Sequence, residues 1–273
     1  MLRSLNSGVS ALQQFQERMD VIGNNIANVN TTGFKSARVD FADTFSQTLG
    51  NVGGSTLQIG TGVTTSAIRN QFSQGAIART GSFTDLAISG QGFFVVRNAA
   101  SNAQYLTRDG AFQLDANGYL VTSTGLRLQG YADAGLTTVG DLRIDNSGAP
   151  GGSTAAVASF TIDTQGYIRV RLTDGTEFVR GQVLLQNVRN PHALAKEGQN
   201  LYSNVLAAGP LSQPQAPGSE GLGTVISGAL ELSNVDLAQE FSTLITTQRA
   251  FQAGARVVTT SDEILAEVVN LKR

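Results

Sequence analysis

The chain has 273 residues, a formal net charge of −2 and no cysteine. Charged residues make up 15% of it, against roughly 25% in an average globular protein, so there is no basic field to hold nucleic acid or an anionic membrane. So little charge also does little to keep copies apart, which suits self-assembly. Disulfides and thiolate metal sites are excluded, and the single histidine, His192, cannot supply the nitrogen ligands of a zinc site.

The first element is an amphipathic helix. Leu2, Leu5, Val9, Leu12, Phe15, Met19, Ile22 and Ile26 follow one another at spacings of 3 and 4, which keeps them on one helical face. Their mean spacing of about 3.5 is that of a coiled-coil seam. Ser, Asn, Gln and Glu interrupt the apolar residues, so the continuous stretch of about 7–15 apolar residues that a secretory signal needs is missing. No apolar run reaches the roughly 18 residues of a membrane span, and no membrane insertion is expected. These features predict a chain that stays in the cytoplasm or leaves the cell without a cleaved signal. The helix should fade between Asn28 and Thr32 and stop at Gly33.

Residues 34–75 are mixed in character and read as an extended linker or stalk, with the apolar Phe41-Ala42-Asp43-Thr44-Phe45 and a flexible break at residues 51–56. Residues 76–232 read as β. Strand-like runs begin at Phe93, Gly118, Leu126, Tyr167 and Phe178, and turns at Ser89–Gly92, Arg108–Gly110, Ala116–Gly118 and Thr173–Gly175 divide them. Many short strands between glycine turns predict a sandwich or an irregular barrel. The stretch 114–121 echoes 162–170 through shared turn chemistry. Residues 209–221 hold three of the five prolines and read as an irregular connector.

A second long helix closes the chain, with Asn234 predicted as its N-cap. Leu237, Phe241, Leu244, Gln248, Phe251, Ala255, Val258, Asp262, Leu265 and Val269 alternate at spacings of 4 and 3. Such a helix cannot bury its own stripe, and the N-terminal seam is the comparable partner. The predicted fold is therefore α+β. Long terminal helices (1–33 and 233–273) pair as a coiled coil, a stalk spans 34–75, and an all-β domain (76–232) is inserted between them. Packing between copies is expected at Leu5, Val9, Leu12, Phe15, Met19, Ile22, Ile26, Leu237, Phe241, Leu244, Phe251, Val258 and Leu265.

Chemistry is sparse. His192 stands in the turn-like Arg189-Asn190-Pro191-His192, where an exposed loop histidine is the better reading than a catalytic base. The Asp residues of the β region mostly adjoin Gly or Asn, as turn residues do. Ser89-Gly90-Gln91-Gly92 precedes a strand, whereas a phosphate loop precedes a helix. No catalytic residue, metal or cofactor is expected. The rival reading is a secreted β-domain adhesin or glycan-acting enzyme with helical ends for docking.

Several motifs carry a family likeness. The run Val21 to Lys35, which includes Asn24, Asn25, Ala27, Asn28, Gly33 and Phe34, resembles the N-terminal signature of bacterial flagellar rod and hook proteins. Asp85–Phe94 and Tyr105–Phe112 resemble the middle motif of that family, and Ser233–Leu237 with Gln248–Ala253 its C-terminal signature. The resemblance implies a subunit of the flagellar axial structure, exported unfolded through the flagellum's own type III apparatus without a cleaved signal. It also implies a helical homopolymer around a channel, with the terminal helices inside and the β domain outside. Implied partners are further copies, other rod and hook proteins and the hook cap, in an extracytoplasmic flagellum. Ile22–Ile26, Phe41–Phe45, Leu128–Tyr131 and Asn234–Leu237 look more like the hook protein. The chain is short for a hook protein, and Thr48–Thr64 matches the extra stretch that stiffens the distal rod, which makes the distal rod protein the alternative.

Overall fold

The computed structural model describes residues 2–52, 55–203, 205–210, 213–219 and 221–270. The backbone passes between two compact units: Met1–Val29, Lys35–Gln71 and Val235–Arg273 form one, Asn30–Phe34 and Phe72–Asn234 the other.

The first unit holds α1 (Leu2–Ala27), α2 (Leu237–Asn270) and four strands, β1 (Ala37–Asp43), β2 (Ser46–Val52), β3 (Ser55–Gly60) and β4 (Val63–Asn70). Strand β1 pairs antiparallel with β4, from Ala37 opposite Asn70 to Asp43 opposite Val63, and β2 pairs with β3 in the same sense. The stretch read as an extended linker is thus a ribbon of paired strands. Gly53 and Gly54, from the expected flexible break, lie outside the described residues, as do 271–273 at the chain's end. Across β1 and β4, Asp40 bonds Arg38 at 3.0 Å and Arg69 at 3.2 Å.

Both helix ends have local causes. The Asn28 amide donates to the carbonyl and the side-chain oxygen of Asn24, each at 2.9 Å, and closes the last turn of α1. At α2 the N-cap is Asp236, not Asn234. Its carboxylate accepts from the backbone N–H of Ala238 (2.9 Å) and Gln239 (3.2 Å), and its charge sits at the positive end of the helix dipole. Asn234 belongs to the other unit and donates to Ser73 Oγ at 2.9 Å.

The second unit is built on short antiparallel strands. In chain order these are β5 (Ile77–Arg79), β6 (Leu86–Ser89), β7 (Phe93–Arg97), β8 (Gln104–Thr107), β9 (Gln113–Leu114), β10 (Leu120–Val121), β11 (Arg127–Tyr131) and β12 (Val139–Asp141). They continue with β13 (Val157–Ile162), β14 (Tyr167–Leu172), β15 (Glu177–Val183), β16 (Leu185–Gln186), β17 (Ala195–Gly198), β18 (Leu201–Ser203), β19 (Thr224–Ser227) and β20 (Ala229–Glu231). The main sheet runs β13-β14-β15-β11-β7-β8-β18-β17, while β19 pairs with β6 and β20 with β5. It ends at β13 on one side and β17 on the other, so the barrel alternative does not hold: among the described residues no closed barrel forms. Both edge strands carry a bulge, a device that blunts open edges.

The core explains the sequence patterns. Strand β14 alternates, with Ile168, Val170 and Leu172 buried and Arg169 and Arg171 exposed. Strand β7 does not alternate because it is covered on both faces. Phe94 and Val96 join the main core with Leu86, Leu120 and Ile168, while Phe93 and Val95 join a second cluster with Leu106, Leu194 and Tyr202. The echoed hairpins share one turn: Gly118 N–H donates to the Asp115 carbonyl and Gly166 N–H to that of Asp163, with both glycines at φ near +80°.

Arg108-Asp109-Gly110, read as a plain turn, is a buried latch. The Arg108 guanidinium donates to Glu231 at 3.2 Å and to the Gly90 carbonyl at 3.0 Å, and it stacks 5.2 Å from the Phe93 ring centroid. Its side chain is 5% exposed and that of Glu231 is fully buried. Burial pulls the guanidinium below its ordinary pKa, and the Glu231 charge opposes that shift. The other Glu231 oxygen accepts from Gly75 N–H at 2.9 Å. The pair thus ties the start of this unit to its end. Gly110 must be glycine here, because a β-carbon would lie 1.6 Å from the Leu86 carbonyl oxygen. Replacing one partner strands the other's charge in the interior, which costs about 3–5 kcal/mol. Glu231→Gln, which keeps an acceptor for Gly75, should lose that much in urea unfolding of the purified protein. A loss below about 1 kcal/mol would show that the latch does not hold the unit together.

Candidate assembly interface

The two helices lie antiparallel. Ser4 Oγ is 3.5 Å from Ser261 Oγ near one end of the pair, and Asn25 bonds Glu240 at 3.1 Å near the other. Between these contacts the surfaces fit through small residues. A β-carbon on Gly8 would come 3.0 Å from Val258, and one on Gly254 would come 3.3 Å from Leu12. Thr247 and Ser261 are the buried residues of α2, and with Gly254 they repeat every seven positions along the side turned to α1. Small side chains here bring the helix axes close.

The expected packing residues separate accordingly. Leu244, Phe251, Val258 and Leu265 are half-buried beside the small-residue stripe. Leu237 and Phe241 stay exposed, at 40% and 48%. With Ile245 they form one apolar patch, and Val257, Ile264 and Val268 form another in the second half of the helix. From Phe241 to Ile264, at 100° per residue, the patches point about 140° apart around the axis. On α1, Ile22 is buried, Leu5, Leu12, Phe15, Met19 and Ile26 are half-buried, and Val9 is 39% exposed.

A second side of α1 meets the strand ribbon, a contact that the apolar seam did not indicate. Phe15 packs edge-on against Phe41 at 6.5 Å, and Arg18 lies 6.0 Å from the same ring. The Thr65 hydroxyl lies against both the buried Gln14 and Glu17 and has one proton to donate to either side-chain oxygen. Val63 N–H donates to Ser10 Oγ at 3.4 Å.

The motif from Asn24 to Phe34 divides at the passage between the units. Asn25 is 1% exposed. Its side-chain oxygen accepts from Ala37 N–H (3.0 Å), and its amide donates to the Ala37 carbonyl (2.9 Å) and to Glu240 (3.1 Å). One side chain thus joins α1, the start of β1 and the first turn of α2. Burial raises the Glu240 pKa, while the bond from Asn25 and the charge of Arg18 oppose the rise. Asn24 and Asn28 close the helix, and Ala27, its last residue, is exposed.

In the second unit, Gly33 adopts φ +66° and donates to the Glu231 carbonyl at 2.8 Å. A β-carbon there would lie 2.6 Å from Asp109 N, so only glycine fits. Thr32 donates to Asp109 at 2.9 Å, and buried Phe34 sits under Lys196, 4.5 Å from the ring centroid.

Among the described residues no constellation of catalytic groups stands out. His192 lies on a short 3-10 turn, 6.3 Å from the Phe72 ring, and among the described residues no three His, Cys, Asp or Glu side chains gather as a metal site. No helix of the described residues is long and apolar enough to cross a membrane.

The Asn25 clamp yields a test with a defined sign. In Asn25→Asp a carboxylate faces the Ala37 carbonyl and Glu240, so its folded pKa lies above its unfolded value. The variant should lose about 3 kcal/mol at neutral pH and recover part of it as pH falls through that raised pKa. Urea unfolding at neutral pH and near pH 5 measures both, and a loss that stays constant would refute the clamp.

Three family models match in chain order: "Flagella basal body rod protein" over residues 5–35, "Flagellar hook protein FlgE/F/G D1 domain" over 87–177, and "Flagellar basal body rod FlgEFG protein C-terminal" over 226–271. The flagellar basal-body rod protein FlgG of Bacillus subtilis is 41% identical, with 100% of both chains covered. That of Borreliella burgdorferi is 35% identical, again with 100% of both chains covered. The flagellar hook protein FlgE of Borreliella burgdorferi is 27% identical over an alignment of 444 positions that covers 100% of both chains. End-to-end identity with the rod relatives and the three models in order establish that the chain belongs to the flagellar hook and basal-body rod family, whose members are structural subunits of the flagellar axis rather than enzymes.

Proposed function

We propose that the chain is a subunit of the distal rod, the tube that carries torque through the cell envelope to the hook. The observation that carries this reading is the end-to-end match at 41% identity to a rod relative. The hook relative aligns only over 444 positions, far more than the 273 residues here, so it has long segments that this chain lacks. The hook reading rests on four short motifs, whereas the rod match runs the length of the chain. The ribbon of β2 and β3, which covers much of Thr48–Thr64, suits the stiffening stretch of a straight rod. At its base the Thr61 hydroxyl donates to the Phe45 carbonyl at 2.6 Å and lies 2.9 Å from the Thr44 hydroxyl, and Phe45 is 94% exposed. Such an exposed aromatic suits contact with a neighbouring subunit.

In this reading the terminal helices (1–33 and 233–273) pair as a coiled coil in the tube wall, residues 34–75 form the stalk, and 76–232 form the outer β body. A helical polymer needs contacts that differ on the two sides of each subunit. Two apolar patches on α2, about 140° apart, supply such a pair. Leu5, Val9, Leu12, Phe15, Met19, Ile22, Ile26, Leu237, Phe241, Leu244, Phe251, Val258 and Leu265 line the wall, some within a subunit and some between subunits. Partners are further copies and the adjoining rod and hook proteins. The chain travels through the flagellar type III apparatus to a periplasmic rod.

Immuno-gold labelling of purified hook–basal bodies should mark the rod below the hook, and label along the hook would overturn the assignment. Leu12→Asp and Phe241→Asp each place a charge in a dry seam and should abolish motility while the protein still accumulates. Normal swimming of both strains would refute the packing scheme.

A further inference from the structure

The β body carries a rigidly held aromatic and, elsewhere on its surface, an uncharged groove. Phe83 is 63% exposed, in the loop between β5 and β6. That loop is tied down on all sides. Thr80 N–H donates to the Gly228 carbonyl at 2.8 Å, and Gly228 N–H donates to the Asp85 carbonyl at 2.8 Å. Asp85 N–H donates to the Ser82 carbonyl at 3.1 Å. The Ser227 hydroxyl donates to the carbonyl of Phe83 itself at 3.3 Å, and Thr80 Oγ1 donates to the Asp85 carboxylate at 2.5 Å. A large apolar side chain left in water on so fixed a loop is a preorganised anchor: little conformational freedom remains to be lost on binding.

The groove has a volume of about 580 Å³, within the range of roughly 300–1,000 Å³ typical of ligand clefts. Val95, Leu106, Val205 and Pro210 line it, Gln104 adds an amide, and Leu206 stands 90% exposed at its rim. None of its lining residues among those described is charged. Residues 80–84, Thr-Gly-Ser-Phe-Thr, carry no charge themselves, with Arg79 and Asp85 on either side, so an apolar ring on a neutral tip faces a groove without charge.

Their placement also matters. Val95 points away from the main core, which lies under Phe94 and Val96 on the other face of β7. Phe83 flanks β13, beside Thr161 and Ile162, and Ile162 reaches that core from its own side. The main core therefore lies between anchor and groove. One body cannot bring its own anchor to its own groove, but two copies can, and each docked copy leaves one groove and one anchor free. That is a head-to-tail contact, the kind that propagates a helical polymer.

We propose that Phe83 of one subunit seats in the Val95–Leu106–Leu206 groove of the next, as a lateral contact between β bodies separate from the helical wall. This rests on the chain's being a polymerising axial subunit. The chain has no cysteine, so paired cysteines report contact cleanly. Ser82→Cys with Gln104→Cys in one chain, oxidised in isolated rods, should give a ladder of dimers, trimers and higher species. Each single variant should stay monomeric. Adding Phe83→Ala to the double variant should cut the cross-linked fraction roughly tenfold, while Phe83→Tyr should retain most of it. Rods that contain the double variant but give no ladder would overturn the docking alone. Dimers from Ser82→Cys by itself would also overturn it, because they would mean a symmetric contact. Absence of the chain from every isolated rod would remove the polymer reading itself.

Discussion

A helix that presents apolar groups on more than one side needs more than one cover, and a single chain here supplies too few. Helix α1 has two covers, the small-residue stripe of α2 and the strand ribbon at Phe41, Val63 and Thr65. Among the described residues the main cover of α2 is α1, and Leu237, Phe241 and Ile245 on one flank and Val257, Ile264 and Val268 on another keep their exposure. The stripe of Thr247, Gly254 and Ser261 makes the close contact within the chain, and in the proposed polymer the larger side chains on either side meet neighbours.

Polar constraints fix where the chain changes unit. Backbone groups at Ala37 and Gly75 need partners away from water, and Asn25 and Glu231 supply them. Glu231 needs a cation in turn, and Arg108 fills that place. The arrangement is costly, because the buried Arg108 Nε and Tyr202 hydroxyl have no hydrogen-bond partner among the described residues. The Tyr202 phenol is pushed well above its ordinary pKa by burial, so it stays neutral beside the ion pair.

The helices were legible because a period near 3.6 persists over many residues, and strands such as Tyr167–Leu172 because alternation is a local property. The orientation of α2 was not. A spacing of 3.5 averages over inner and outer faces, and the residues that do the closest packing are Gly, Ser and Thr, which an apolar pattern passes over. Asn234 was a plausible cap by residue type, yet Asp236, two positions later, makes the bonds. The ribbon at 37–70 hid because its strands are polar and little buried. The Arg108–Glu231 latch joins residues 123 positions apart, and no local signal announces such a pair. The family motifs were legible as motifs; the structure adds why Asn25 and Gly33 must be what they are.

The stripe that lets the helices approach also makes their alignment ambiguous. Thr247, Gly254 and Ser261 recur with the same period, so a slide of α2 along α1 by one heptad, about 10.5 Å, would bring similar small groups opposite one another again. Packing alone is therefore a ruler with identical marks. The bond from Asn25 to Glu240 occurs at a single place on that ruler, and it sets the zero. In the proposed tube under torque, such a pin would convert a smooth and slippery seam into one with a defined axial length.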